Sequence, residues 1–284
     1  MNAPRSFGIE QSLRSRADRP QVTWPQRSAR PIRYSRNTAS SVTDMELIKD
    51  FLQRSVWSAG LAEDVMARVH PGVTCRFYSA GSIIAPRAQR LNHWLGVITG
   101  VAVMGCDSPS GKAAYFIPVP ERGWFGEGSL LKDEPLRYEV LAKTDCRVAC
   151  LPRDTFMWLF DTSIEFNHAL VSQLNERCGQ FLGMVTADRT GSVGERVANC
   201  LLSLINPVLY PGTDNALPLS QEEVGYLCGL SRQTVNGVLK ELEHAGLVRV
   251  DFKQVTVLDL ARLREYAAHS RLQPACPRQG SHRR

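Results

Sequence analysis

Long apolar runs are missing from this 284-residue chain. No uninterrupted hydrophobic stretch approaches the ~18 residues that cross a bilayer, and the first residues lack the apolar core of a secretory signal. The expected location is the cytoplasm, with no membrane partner. Paired cysteines are missing too. The eight cysteines (75, 106, 146, 150, 178, 200, 228 and 276) are scattered without a Cys-x-x-Cys pair, so no zinc spacing appears. Several, such as Cys200 and Cys228, have apolar neighbours and read as buried reduced thiols. Catalytic signatures are absent as well. His70, His93, His168, His244, His269 and His282 are isolated, and there is no Gly-x-Ser-x-Gly, His-Glu-x-x-His or Walker loop. Asp133-Glu134 and Glu222-Glu223 are adjacent carboxylates, but the first reads as a turn and the second as a helix start. No catalytic or metal-ligating residue is assigned, and an enzyme is not expected.

What is present is ordinary globular composition, 43% apolar and 22% charged, with length enough for about two domains. The net charge of +6 is unevenly spread. Residues 1–43 carry eight Arg against Glu10 and Asp18, and residues 268–284 carry four Arg and no acid, which leaves residues 44–267 at −4. Both ends read as disordered basic tails that add salt-dependent attraction to nucleic acid or are merely solvated.

The most informative stretch is Leu219 to Val257. Ser220 followed by Glu223 is a capping-box pattern that starts a helix at Gln221, and Gly229 is the residue a left-handed helix end prefers. Ser231 offers a second N-cap. Val235, Val238, Leu239 and Leu242 then form one buried stripe, and Gly246 ends the second helix. Two helices joined by a short glycine-containing turn make a helix-turn-helix, with Gly225 allowing close approach inside it. Leu247–Val250 and Val255–Val257 read as the strands of a wing. Arg232, Gln233, Asn236 and Lys240 lie off the apolar stripe and, with Ser231 and Thr234, are the expected contacts to base edges and phosphates.

Ahead of this, residues 44–152 read as a sensor domain. Leu47, Ile48, Phe51 and Leu52, then Leu61, Val65 and Val69, recur at helical spacing, and Pro71-Gly72 closes that segment. Short strands follow at 75–78, 82–85, 94–98, 101–104, 114–119, 139–142 and 147–151, which suggests a small antiparallel barrel or roll. Residues 153–190 form a helical region. Its stripe of Phe166, Leu170, Leu174, Cys178, Phe181 and Val185, with Ala169, Val171 and Leu182 on a second face, calls for a partner helix from a second chain. Val193, Val197, Leu201, Leu204 and Val208 open the DNA-binding domain, assigned to 191–267.

This order of α+β elements, a roll, a long dimerisation helix and a C-terminal winged helix-turn-helix, resembles the CRP/FNR family of bacterial transcription regulators over roughly residues 45–265. Gly123-Trp-Phe-Gly-Glu-Gly-Ser-Leu-Leu resembles the phosphate-binding segment of that family's cyclic-nucleotide roll, and Ala142-Lys-Thr-Asp-Cys-Arg-Val-Ala its following strand. The resemblance implies effector contacts at Gly126, Glu127 and Arg137. Tyr138 replaces the serine that follows the arginine, however, and anchoring on Ala142-Lys143-Thr144 shifts Arg137 by one position, which turns a strand side chain to the other face. Cyclic nucleotide is therefore disfavoured. An iron–sulfur cluster is also disfavoured, because the first cysteine is Cys75. Nothing singles out His70, Cys75 or His93 as haem ligands, so the cofactor or effector is left open. Family members commonly carry Ser/Thr-Arg-Glu-Thr-Val-x-Arg at the recognition helix. Here Ser231-Arg-Gln-Thr-Val-Asn-Gly keeps Arg232, exchanges a glutamate for Gln233 and loses the second arginine at Gly237.

The expectation is a homodimeric, sequence-specific transcription regulator modulated through its roll. Its partners would be double-stranded DNA, a second copy and RNA polymerase. The alternative is a constitutive or architectural DNA-binding protein whose roll has lost its ligand.

Overall fold

The computed structural model describes residues 42–107, 113–213 and 215–269. The expected basic tails lie outside these residues, except for their inner ends. Residues 42 and 43 begin the first helix, and residues 268 and 269 end the last.

Helices α1 (Val42–Gln53) and α2 (Glu63–Val69) precede a roll of eight strands. They are β1 (Thr74–Tyr78), β2 (Ile83–Ala85), β3 (His93–Thr99), β4 (Ala102–Asp107), β5 (Ala113–Val119), β6 (Trp124–Phe125), β7 (Glu139–Ala142) and β8 (Cys146–Pro152). A short helix α3 (Glu127–Lys132) follows β6. One sheet has the order β1-β8-β3-β6 and the other β2-β7-β4-β5, with every pairing antiparallel.

Strand β3 is buried on both faces, which explains its unbroken apolar character. Leu95 and Val97 point into the space between the sheets, whereas Trp94 and Ile98 point toward the helices. On that outer side the rings of Trp94 and Trp124 lie 4.5 Å apart. Trp57, Phe156 and Phe166 meet them edge-on or tilted, the arrangement that aromatic quadrupoles favour.

Helix α4 (Arg153–Thr162) leads to α5 (Ile164–Thr190), 27 residues long and started by the Ser163 side chain accepting from the Phe166 amide at 3.1 Å. Phe166 and Leu170 bury α5 against the aromatic cluster. Farther along, Val171, Phe181, Leu182 and Val185 are exposed, Leu182 by 63%. Phe181, Leu182 and Val185, with Leu174, Cys178 and Arg177, line a shallow, mainly apolar groove. The stripe expected from periodicity therefore faces two ways, its first part inward and its second outward.

The C-terminal unit comprises α6 (Val193–Ser203), β9 (Ala216–Leu217), α7 (Gln221–Cys228), α8 (Arg232–His244), β10 (Val248–Asp251), β11 (Gln254–Val257) and α9 (Leu260–His269). Its sheet has the order β10-β11-β9. One core joins Val197, Leu201, Val224, Val235, Leu239, Leu242, Val255 and Leu263. Val208, expected on the α6 stripe, lies beyond that helix. Pro207 cannot continue it, and the Asn206 carboxamide oxygen accepts from the amides of Val208 and Leu209 at 2.9 Å each, turning the chain. Helix α9, which packs on α6, was not foreseen.

Candidate nucleic-acid interface

Local chemistry sets the geometry of α7 and α8. The Ser220 hydroxyl accepts from the Glu223 amide at 3.2 Å, and the Glu223 carboxylate accepts from the Ser220 amide at 2.8 Å. The box closes both ways, so two of the helix's orphan donors are satisfied. Gly229 ends α7 at φ 64°. A side chain at Gly225 would lie 2.9 Å from the Leu230 carbonyl, so only glycine lets the turn fold back onto α7. The Ser231 hydroxyl caps α8 by accepting from the Thr234 amide at 3.1 Å, and it hydrogen-bonds the Thr234 hydroxyl at 2.7 Å.

Val235, Val238, Leu239 and Leu242 face inward. Arg232, Gln233 and Lys240 are exposed, and Asn236 is partly so. At 100° per residue these four fall within about a third of the helix circumference. Among the described residues neither Arg232 nor Lys240 has an ion-pair partner. Gly237 lies on the same side with open space where a side chain would be. Ser231 and Thr234 sit at the entrance to the helix, occupied with its cap. The six residues singled out in the sequence thus divide into four on an outward face and two that hold its start.

The wing packs beside α8. The Glu243 carboxylate accepts from the Val250 amide at 2.8 Å, and the hairpin turns at Phe252 and Lys253. Phe252 is 91% exposed, and the Lys253 ammonium lies 5.7 Å from its ring. The sequence marked this turn but did not single out its residues. An aromatic flanked by lysine between two short strands was the signal.

In the roll, Gly126 takes φ 95° and starts α3, and Glu127 is buried, with the Trp94 indole donating to it at 3.4 Å. Arg137 is not brought to them. Its side chain is 80% exposed and pairs with Glu134 at 3.2 Å, while the neighbouring Tyr138 packs against the roll's inner core. Burial pushes the Tyr138 phenol well up, and the charge of Glu127 adds to this. The cation that reaches this region is Arg177 of α5, which sequence reading did not single out because it sits inside a long helix with no motif around it. Burial works against its charge, but Tyr210 and Glu127 outweigh this and hold its pKa above the usual arginine value.

Cys146, Cys150 and Cys228 are buried. Burial pushes the Cys150 thiol up to about 12, the setting of an inert thiol. Cys276 lies outside the described residues.

Comparison with known proteins places both halves. A cyclic nucleotide-binding domain family matches residues 75–163, and a Crp-like helix-turn-helix domain family matches residues 195–266. The cAMP-activated global transcriptional regulator Vfr of Pseudomonas aeruginosa is 29% identical over 188 residues, 64% of this chain and 88% of that protein. A CRP-like cAMP-activated global transcriptional regulator of Mycobacterium tuberculosis is 29% identical over 177 residues, 59% of this chain and 76% of that protein. In fold, FixK2 of Bradyrhizobium japonicum matches with a TM-score of 0.56 at 19% identity, covering 68% of this chain and 96% of that one. The c-di-GMP responsive global regulator CLP of Xanthomonas campestris matches with 0.51 at 19%, covering 70% and 100%. The two domain matches fall on the roll and on the winged unit in that order, and the chain belongs to the CRP/FNR family of transcription regulators.

Proposed function

We propose that the chain is a homodimeric transcription regulator that reads DNA through Arg232, Gln233, Asn236 and Lys240. The outward face of α8, presented beside a capped turn and a wing, is the observation that carries this reading. Arg232 is suited to clamp a guanine edge or a phosphate through two parallel hydrogen bonds. Gln233 and Asn236 are suited to adenine, and Lys240 to phosphate. The cap at Ser231 and Thr234 leaves the first amides of α8 at the same end as Arg232. In this reading residues 44–152 are the sensor, 153–190 the dimerisation region and 191–267 the DNA-binding domain. The cytoplasm is its place of work and RNA polymerase a further partner.

The exposed apolar row on α5 supports dimerisation. A row at steps of three and four needs a similar helix against it, and a second copy supplies one. Paired winged units would then enter successive major grooves about one helical turn apart, on a palindromic site. Selection from random DNA with the purified protein tests the reading. It should return palindromes, and Arg232→Ala should relax the preference at one base pair of each half-site while remaining dimeric.

A second reading has its own observation. Arg137 points to solvent, so the Gly126-Glu127 segment lacks the arginine that would hold a cyclic phosphate there. Two of the relatives are described as cAMP-activated. Titration with cyclic AMP and cyclic GMP while following operator affinity separates the cases. No response supports a constitutive DNA-binding protein or a different effector.

A further inference from the structure

The segment between α6 and β9 belongs by sequence to the winged unit, yet its residues complete the core of the roll. Leu209 and Tyr210 are buried among Ile117, Val119, Phe125, Val140 and Val148. The Tyr210 hydroxyl donates to the Pro118 carbonyl of β5 at 3.0 Å and accepts from Arg177 Nη1 at 2.9 Å. Arg177 Nη2 donates to the Trp124 carbonyl at 3.0 Å. A side chain at Gly123 would lie 2.9 Å from the Tyr210 ring, so that glycine makes the slot. Outside the core, Arg122 donates to the Pro211 carbonyl at 3.0 Å. Asn206 donates to Glu176 at 2.8 Å, and Gln180 to the Ser203 carbonyl at 3.2 Å. The segment is thus tied to the roll and to α5 at once.

The same docking lays α7 against β5, the edge strand of its sheet, with the Lys143 ammonium 5.0 Å from the Tyr226 ring. In a helix-turn-helix complex the first helix crosses the DNA backbone. A strand along its flank competes with that approach.

We propose that Tyr210 and Arg177 form a latch holding the winged unit against its own roll in a closed orientation of low DNA affinity. This rests on the DNA-binding reading above. The latch suits a two-position device because Arg177 is a buried charge. A buried charge that loses a partner is strongly destabilised, so the guanidinium either keeps the phenol or must find a replacement. Release of Tyr210 frees the linker, α7 and α8 as a unit, a rigid-body change of a kind common in regulators.

Two variants of the full chain test this. Tyr210→Phe keeps the ring, and so the packing, while removing both hydrogen bonds of the hydroxyl. Arg122→Ala cuts the Pro211 anchor outside the core. Both should speed amide hydrogen exchange over residues 204–213 and along α7. Both should also tighten binding to the protein's selected DNA site, by about tenfold for Tyr210→Phe, the scale of one hydrogen bond to a charged group. Unchanged exchange in both variants overturns the latch whatever the affinity does. Faster exchange with unchanged or weaker DNA binding overturns its inhibitory role. If neither the parent nor the variants bind DNA, the functional reading fails instead, and exchange alone still decides whether Tyr210 holds the two parts together.

Discussion

Arg232 and Gly237 set the chemistry of the outward face of α8 in opposite ways. Arg232 supplies a forked donor at the first turn, and Arg232→Ala should cost about 1–3 kcal/mol of discrimination at one base pair. Fluorescence anisotropy with single-base variants of the selected site would measure it, and light scattering should still find the dimer. Gly237 supplies nothing and weakens the helix. With open space around it, Gly237→Ala should raise stability by roughly 0.5–1 kcal/mol in urea unfolding. Because Gln233 and Gly237 depart from the family pattern, the selected half-site should differ from the TGTGA type. Recovery of that sequence would refute the assignment of Gln233, Asn236 and Gly237 to the reading face. His93 gives a pH signature. Burial first, and Arg76 second, lower its pKa below the ordinary 6.5, so the unfolded chain takes up the proton before the folded one does. Its contribution to stability is present above pH 6.5 and is lost as pH falls through the lowered folded value. Thermal unfolding midpoints should decline on acidification from pH 6.5 down to that value and level off below it, and His93→Gln should flatten the decline.

Among the elements, α5 is where burial divides a helix into two uses. Phe166 and Leu170 serve the aromatic core of the same chain, whereas Leu182 and Val185 stand open. Leu182→Glu should therefore convert dimer to monomer in analytical ultracentrifugation while circular dichroism keeps its helical signal. The helices and the longer strands were legible because each repeats a pattern over several residues. The stripe from Val235 to Leu242 and the Ser220–Glu223 box are complete within one element. Strands β6 and β9 were not legible, since two residues such as Trp124 and Phe125 carry no period. Helix α9 was missed although Leu260, Leu263, Tyr266 and Ala267 recur at helical spacing, a signal that could have found it; the α6 surface it covers is far away in sequence. Arg137 does turn outward, but from a bend ahead of β7 and not from a strand, so strand alternation is not the reason. Arg177 was illegible, because its partners lie at Trp124 and Tyr210.

At the scale of the molecule, the order of domains along the chain and the membership of its cores do not coincide. Tyr210 is flanked by Pro207, Pro211 and Gly212, a setting that reads as a surface loop, yet it fills the roll. A chain ended after α5 should thus have a roll lacking Leu209 and Tyr210. It should unfold at lower denaturant than the full chain, by an amount typical of removing large core side chains, about 3–5 kcal/mol. The consequence reaches back to synthesis. The strands of the roll leave the ribosome well before residue 210 exists, so the nascent roll waits with a ring-sized gap and Arg177 without its phenol. Pulse proteolysis of ribosome-held chains of increasing length should show the roll becoming resistant only once the linker has emerged, after all of its own strands have been made.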